Sequence, residues 1–221
     1  MSKLKVLCFG VSTDGYGAGP NQSLENPMGE GGMALHEWVF HTNEFQKMHG
    51  EMEGGIPKVS GSFGIDNDFA KRGFENIGSW ILGRYMFGPS RGPWKKEDDW
   101  KGWWGPNPPY HTSVYILTHH PKDPIVMEGG TTFYFVTEGI EKALELAKKA
   151  ANGKDVRLGG GANTVRQYLK AGLVDELHLA IAPALLGSGE TLLKGINLPE
   201  LGYRITEFVN SEKATHVVFK K

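Results

Sequence analysis

The sequence contains a single cysteine, Cys8, which excludes an internal disulfide and any metal site built from several cysteines. Its formal net charge is −1, so there is no electrostatic basis for binding nucleic acid or a membrane surface. No apolar run approaches the ~20 residues that a membrane-spanning helix needs, and the apolar run near the N-terminus is too short for a signal peptide. We therefore expect a cytoplasmic protein with no metal ion, no nucleic-acid partner and no membrane association.

Glycine is abundant instead, at 31 of 221 residues, and three glycines stand together at 159–161. Before them Val156 and Leu158 alternate with polar residues, as at the end of a strand, and after them apolar residues recur at helical spacing. Such a turn suits a phosphate, because the backbone can be approached closely and the first amides of the helix are unpaired. The pattern predicts a diphosphate site on residues 160–163, unless the glycines simply turn the chain.

A second candidate anion site follows the strand predicted from Trp80 to Leu82. Gly83 allows a tight turn, and Arg84 then stands at the carboxyl end of a buried strand, the edge where open α/β sheets bind ligands. The planar guanidinium of an arginine can pair with two phosphate oxygens at once. The alternative interpretation is an ordinary surface arginine.

Strand and helix patterns alternate along the rest of the chain. They predict strands at 4–11, 113–117, 132–136 and 174–183, helices at 33–49, 66–74 and 138–151, and a closing hairpin formed by 203–210 and 214–220. Asp66 and Thr137 are predicted to cap their helices. This order predicts an α/β fold with a mostly parallel sheet and an antiparallel edge, in a single domain that covers residues 1–221.

A tryptophan-rich segment at 89–110 interrupts this alternation and has the character of a long insertion or flap. It contains Trp94, Trp100, Trp103 and Trp104 among prolines, glycines and charged residues. The aromatic rings could form a wall for a planar ligand, or they could form a satellite hydrophobic cluster beneath a long loop. The sequence leaves both interpretations open.

Four short motifs together resemble a known family. They are Ser12-Thr13-Asp14-Gly15, Ile81-Leu82-Gly83-Arg84, Ile116-Leu117-Thr118, and the stretch from Val156 to Leu169 with its continuation through Gly172-Leu173-Val174-Asp175-Glu176-Leu177 to Gly187-Ser188-Gly189. In this order the chain resembles the dihydrofolate reductase-like superfamily, closest to the reductase (C-terminal) domain of the riboflavin-biosynthesis deaminase-reductase and its stand-alone relatives. The resemblance implies a three-layer fold with helices on both faces of the sheet, an NADP cofactor and a homodimer.

The resemblance also implies which residues contact NADP. The predicted cofactor-binding residues are Gly10, Val11, Gly17 and Ala18 at the nicotinamide, Gly83, Arg84, Tyr85 and Met86 beside the phosphates, Thr118 and His119 near the 2′-phosphate, and Gly159, Gly160, Gly161, Ala162, Asn163 and Thr164 at the diphosphate. The two anion sites predicted separately, Arg84 and the glycine turn, would then bind the same dinucleotide.

The substrate side is less well defined. Asp14 or Glu37 is a candidate catalytic proton relay, and Trp38, Trp94 and Trp104 are candidates for stacking on a planar substrate, with packing as the alternative. The resemblance favours an NADPH-dependent reductase that transfers hydride to a small heterocycle of the pteridine or pyrimidine type, as in riboflavin or folate metabolism. Two alternatives are a true dihydrofolate reductase and a non-catalytic NADP-binding protein. The zinc site of the deaminase half is excluded, because it needs more than one cysteine.

Overall fold

The computed structural model of the chain describes residues 2–49, 61–95 and 99–221. The strands in these ranges are β1 (Leu4–Ser12), β2 (Tyr16–Ala18), β3 (Ile77–Gly83), β4 (Ser113–Leu117), β5 (Ile125–Val126), β6 (Thr132–Val136), β7 (Asp155–Leu158), β8 (Glu176–Ala182), β9 (Glu190–Thr191), β10 (Arg204–Asn210) and β11 (Thr215–Lys220). The α-helices are α1 (Glu37–Phe40), α2 (Asn43–His49), α3 (Ile65–Arg72), α4 (Arg84–Phe87), α5 (Ile140–Ala150) and α6 (Ala162–Lys170), with 3₁₀ turns at Gly32–His36 and Glu128–Gly130. None of the helices in the described ranges has both the length and the apolar character needed to cross a membrane.

The chain divides into two compact units, and each unit consists of two separate segments. The first unit comprises Met1–Lys5 and Asn76–Val174, and the second comprises Val6–Glu75 and Asp175–Lys221. Strand β1 contributes its first two residues to the first unit and the rest to the second. The single domain predicted for residues 1–221 stays a prediction.

The first unit is built on parallel strands in the order β1-β7-β3-β4-β6, with the short β5 antiparallel to β6 at the edge. Helix α5 packs against β3 and β4, and α6 packs against β3. Alanine and leucine recur on the buried face of α5, where Ala143, Leu144 and Ala147 are at most 7% exposed. This apolar stripe explains why the segment is helical and which face it buries.

The second unit has antiparallel pairing between β10 and β11 and between β11 and β8, and β1 lies next to β8. Its core joins Trp38 of α1, Phe69 of α3, and Ala180 and Val218 from the strands. The predicted α/β class, with a mostly parallel sheet and an antiparallel C-terminal strand pair, is therefore confirmed.

Three helix starts differ from the predictions. The helix predicted over 33–49 is interrupted, because the Thr42 hydroxyl donates to the Val39 carbonyl (2.7 Å) and accepts from the Phe45 amide (3.2 Å), which separates α1 from α2. Asp66 does not cap α3, since that helix begins at Ile65 and the Asp66 carboxylate binds another side chain.

The third difference is at α5. Thr137 does not cap this helix, because its hydroxyl donates to Glu138 and the helix begins three residues after it at Ile140. The residue immediately before the helix is Gly139, which has a φ of 97°.

Candidate functional site

Three strand ends of the first unit lie at the same edge of its sheet. The register pairs Ile81 of β3 with Leu158 of β7, and Gly83 of β3 with Leu117 of β4. Because the strands are parallel, the residues that follow them emerge together. The structure thus brings together the Gly83-Arg84 pair, Thr118 and the glycine turn, which the sequence predicts separately.

Gly83 and the glycine turn approach each other more closely than any side chain would permit. The Gly83 amide donates to the Gly160 carbonyl at 2.7 Å. A Cβ atom at Gly83 would overlap the Thr164 hydroxyl, and one at Gly159 would lie 2.5 Å from Cδ2 of Leu82. Glycine at residue 83 therefore permits the close packing of these strand ends, whereas a side chain at residue 159 would have to displace the end of the Leu82 side chain.

Gly161 has the opposite environment. A Cβ at Gly161 would have no atom within 4 Å, so this position borders open space. Gly161 precedes α6 with no side-chain cap, which leaves the first amides of the helix, at 162–164, without intrahelical partners. These amides and the helix dipole make a site that favours an anion. Asn163 is exposed there and accepts from the Arg166 guanidinium at 3.1 Å. The preceding Gly160 has a φ of 116° and forms a cis peptide with Gly161.

Arg84 begins the short helix α4 directly beside this turn. Its Nε donates to the Ser90 carbonyl at 2.8 Å, one of its terminal nitrogens lies 3.4 Å from the Thr118 hydroxyl, and its guanidinium lies against the Trp94 ring, 2.9 Å from the ring centroid. The cation is therefore held in a fixed orientation by the segment 90–94. Arg84 and Trp94 also line a small surface cavity next to α4.

Other cationic and aromatic groups surround Arg84. The Arg91 guanidinium lies 4.5 Å from the centre of the Tyr85 ring, and Lys122 Nζ lies 4.8 Å from that of Trp94. Of the remaining predicted residues, Met86 is half-buried and His119 is exposed. Three cationic side chains, those of Arg84, Arg91 and Lys122, thus lie on aromatic rings in this part of the first unit.

The tryptophan-rich segment is fixed by hydrogen bonds from its indole nitrogens. Trp94 donates to the His120 carbonyl (2.9 Å), Trp100 to that of Phe87 (2.8 Å) and Trp103 to that of Tyr85 (3.0 Å), while Trp104 donates to the Tyr110 hydroxyl (3.0 Å). Burial raises the pKa of Tyr110 to about 12, so this hydroxyl stays protonated. The indoles therefore anchor the segment to α4 and to the end of β4, and the proposed stacking roles of Trp94 and Trp104 stay predictions.

The predicted nicotinamide residues belong to the second unit. Gly10 and Val11 are buried near the carboxyl end of β1. Gly17 and Ala18 form part of β2, which pairs with β9. A Cβ atom at Gly10 would lie 3.1 Å from the ring of His36, so the strand passes directly beneath this imidazole.

The two candidate proton relays have different environments. Asp14 accepts the amide protons of Leu186 (3.2 Å) and Gly187 (2.7 Å), and the Ser12 hydroxyl is the main group that lowers its pKa. These hydrogen bonds lower the pKa by stabilising the carboxylate, whereas a proton donor needs the protonated acid. Glu37 is exposed at the start of α1. The relay roles stay predictions, and the contacts of Asp14 favour anchoring the loop.

The structure reveals a chain of hydrogen bonds that the sequence analysis missed. The Cys8 amide donates to Nδ1 of His178 (3.1 Å), Nε2 of His178 lies 3.0 Å from Nδ1 of His216, and Nε2 of His216 lies 2.8 Å from the Asp66 carboxylate. Trp38, a predicted substrate residue, is 2% exposed and packs edge-on against His216. The signal in the sequence was a histidine at an alternating position in each of two strands.

Comparison with known proteins identifies the family of the chain. A family model described as the RibD C-terminal domain matches residues 6–218. The chain belongs to the RibD C-terminal domain family. This membership confirms the resemblance inferred from the motifs, and the matched region includes nearly all of both units.

Two solved structures are similar to this RibD C-terminal domain protein across its whole length. A Shewanella sp. PV-4 protein named for riboflavin biosynthesis is 17% identical, with a TM-score of 0.55 over 100% of this chain and 98% of the other. The Thermotoga maritima diaminohydroxyphosphoribosylaminopyrimidine deaminase/5-amino-6-(5-phosphoribosylamino)uracil reductase is 11% identical, with a TM-score of 0.51 over 100% of this chain and 56% of the other. At these identities the likeness shows the fold alone.

One curated protein provides a closer match in sequence but over a shorter stretch. The Bacillus subtilis (strain 168) protein YyaP is 40% identical over 58 residues, which are 26% of this chain and 30% of that protein. The match therefore spans less than a third of YyaP.

Proposed function

We propose that this RibD C-terminal domain protein is an NADPH-dependent reductase that transfers hydride to a small heterocycle of the pyrimidine or pteridine type. Family membership supports a reductase acting on such a substrate. The cofactor would supply the hydride, while the chain binds it, orients it and excludes water.

The open position at Gly161 is the observation that carries the proposal. The glycine turn is packed tightly on its inner side, where Gly83 meets Gly160 and Thr164, yet a Cβ at Gly161 would meet nothing within 4 Å. The first amides of α6 lie beside this space, and Arg84 is on the neighbouring strand end. A diphosphate would therefore find amide donors and a favourable helix dipole at the glycine turn, with Arg84 beginning the helix at the adjacent strand end.

The remaining assignments follow from the family resemblance. Gly83, Tyr85 and Met86 would lie beside the phosphates, and Thr118 and His119 near the 2′-phosphate. The nicotinamide would lie at Gly10, Val11, Gly17 and Ala18. A 2′-phosphate near the end of β4 agrees with the basic character contributed by Arg84, Arg91 and Lys122.

Titration with NADPH and, separately, NADH tests the proposal, with binding followed by quenching of the tryptophan fluorescence. We expect NADPH to bind much more tightly than NADH. Gly161→Ala places a methyl group where the diphosphate would lie, so it should weaken NADPH binding at least tenfold, or about 1.4 kcal/mol, with an unchanged melting temperature. Gly92→Ala is the matched control, because a Cβ at Gly92 also has nothing within 4 Å and the substitution leaves in place the Gly92 carbonyl that lies 3.5 Å from the Arg84 guanidinium.

Equal NADPH affinity in wild type and Gly161→Ala would remove the diphosphate from this turn, and no binding by wild type would refute the cofactor assignment. Turnover of dihydrofolate that an antifolate blocks would identify a dihydrofolate reductase instead. Tight NADPH binding without oxidation across pyrimidines, pterins and flavins would indicate a non-catalytic binding protein.

A further inference from the structure

His36 occupies an unusual position in the second unit. It ends the 3₁₀ turn Gly32–His36, and its ring lies over Gly10, near the carboxyl end of β1. The structure gives His36 no hydrogen bond among the described residues, and its Nδ1 atom is buried. The residue as a whole is only half-buried, and Nε2 is not among the buried polar atoms that lack a partner.

This environment determines the charge and the tautomer of the imidazole. Burial lowers the pKa of His36 to about 4, so the ring is neutral near pH 7. A neutral imidazole carries one proton. A proton on Nδ1 would be a buried donor without an acceptor among the described residues, whereas Nε2 is not among the buried atoms that lack a partner. The proton therefore resides on Nε2.

The position of Gly10 explains how the ring is accommodated. A Cβ on residue 10 would collide with the Leu35 carbonyl and lie 3.1 Å from the His36 ring, so only glycine admits the imidazole there. The same strand end is where open α/β sheets bind ligands. A neutral N–H donor thus lies at a ligand-binding edge with no hydrogen-bond partner in the part of the chain that the structure describes.

We propose that Nε2 of His36 donates a hydrogen bond to a carbonyl oxygen or ring nitrogen of the heterocyclic substrate. This assignment rests on the proposed reductase function. His36 precedes Glu37, a candidate proton relay in the sequence analysis. Glu37 is exposed, whereas His36 is partly buried and its ring is neutral near pH 7. It favours a substrate with an acceptor at this point and polarises that acceptor without adding a charge.

Nitrogen-15 NMR of protein labelled at histidine tests the tautomer without requiring any enzyme activity. The His36 signals are assigned by their loss in His36→Gln. We expect a neutral ring protonated at Nε2 from pH 8 to pH 6. Adding 5-amino-6-(5-phosphoribosylamino)uracil, the uracil compound in the name of the Thermotoga maritima relative, should shift the Nε2 resonance. An Nδ1 proton, a charged ring at pH 6.5, or no shift at saturating uracil compound would overturn the proposal.

Steady-state kinetics with NADPH and the same uracil compound provide the second readout. His36→Phe removes the donor and should lower kcat/KM at least tenfold, while His36→Gln keeps an N–H at a similar distance and should recover most of that loss. NADPH affinity should be unchanged in both. His41→Gln is the matched control for substituting a histidine in the same segment.

A His36→Phe enzyme with wild-type kcat/KM would overturn the role of His36. Failure of the wild type to bind NADPH would instead refute the proposed reductase, and the NMR titration would still decide whether His36 contacts the uracil compound.

Discussion

Gly83→Ala tests the close approach on which the candidate site depends. The backbone of Gly83 (φ −72°, ψ 159°) is open to any residue, so alanine introduces no backbone strain. The added methyl group would overlap the Thr164 hydroxyl and lie 3.4 Å from the Gly160 carbonyl oxygen and the Gly161 nitrogen. The effect of the substitution is therefore purely steric, and it acts at the junction of β3 with α6.

The expected loss of stability follows from overpacking. Inserting one methyl group into a close-packed site costs about 1–3 kcal/mol. For a chain of this size, each kcal/mol lowers the melting temperature by about 2–4 °C. Removing the obstructing hydroxyl with Thr164→Ala should recover at least ~1 kcal/mol in the double variant. Thr164→Val keeps the bulk of the side chain and should give no such recovery.

Equilibrium unfolding in urea, followed by far-ultraviolet circular dichroism, measures these differences in the free energy of unfolding. Gly161→Ala is the comparison within the same turn, and its free energy of unfolding should lie within ~0.5 kcal/mol of wild type. The steric reasoning is refuted if Gly83→Ala is as stable as wild type, or if Thr164→Ala and Thr164→Val relieve it equally.

Three further predictions concern stability, each measured by urea unfolding. Asp155→Asn should cost about 1–3 kcal/mol of unfolding free energy, because burial raises the Asp155 pKa but the ion pair with Lys5 (2.8 Å) and the hydrogen bond from a backbone amide lower it by more. Since the folded pKa is lowered, this stabilisation is lost only below about pH 4, and an equal loss at pH 3 and pH 7 would contradict the prediction. Asp66→Ala should cost about 1–3 kcal/mol by leaving the buried His216 N–H without its acceptor, and a change under ~0.5 kcal/mol would disprove this. Because burial lowers the pKa of His36 to about 4, stability should fall by up to about 3 kcal/mol between pH 6.5 and pH 4, and His36→Gln should abolish that slope.

The strands and the order of elements could be predicted because their signals are local. Short apolar runs placed β1, β4 and β6, and apolar alternation placed β8 and the final hairpin, close to their observed bounds. The ends of the helices were harder to predict, since a side chain that could cap a helix is present at Thr42, Asp66 and Thr137. Which bond such a side chain forms depends on partners distant in sequence, such as His216 for Asp66.

The candidate site was predictable in part for the same reason. Gly83-Arg84 and the glycine turn each have a local signature, and parallel strands bring them to one edge. The contact between Gly83 and Thr164 has no signature, because it depends on how β3 and α6 pack together. The buried Nδ1 of His36 could not be predicted either, since a lone histidine in a helical pattern indicates neither that its ring nitrogen is buried nor that this nitrogen lacks a hydrogen-bond partner.

The interleaved segments of the two units have a consequence for protein synthesis. A ribosome delivers every residue of the first unit once Val174 has emerged, whereas the second unit still lacks β8, β9, β10 and β11. The second unit, whose longer first segment Val6–Glu75 is synthesised before most of the first unit, is therefore the last to be completed. Until then Trp38 and Phe69 lack the strands that bury them, and the nascent chain exposes an apolar surface on which chaperones act.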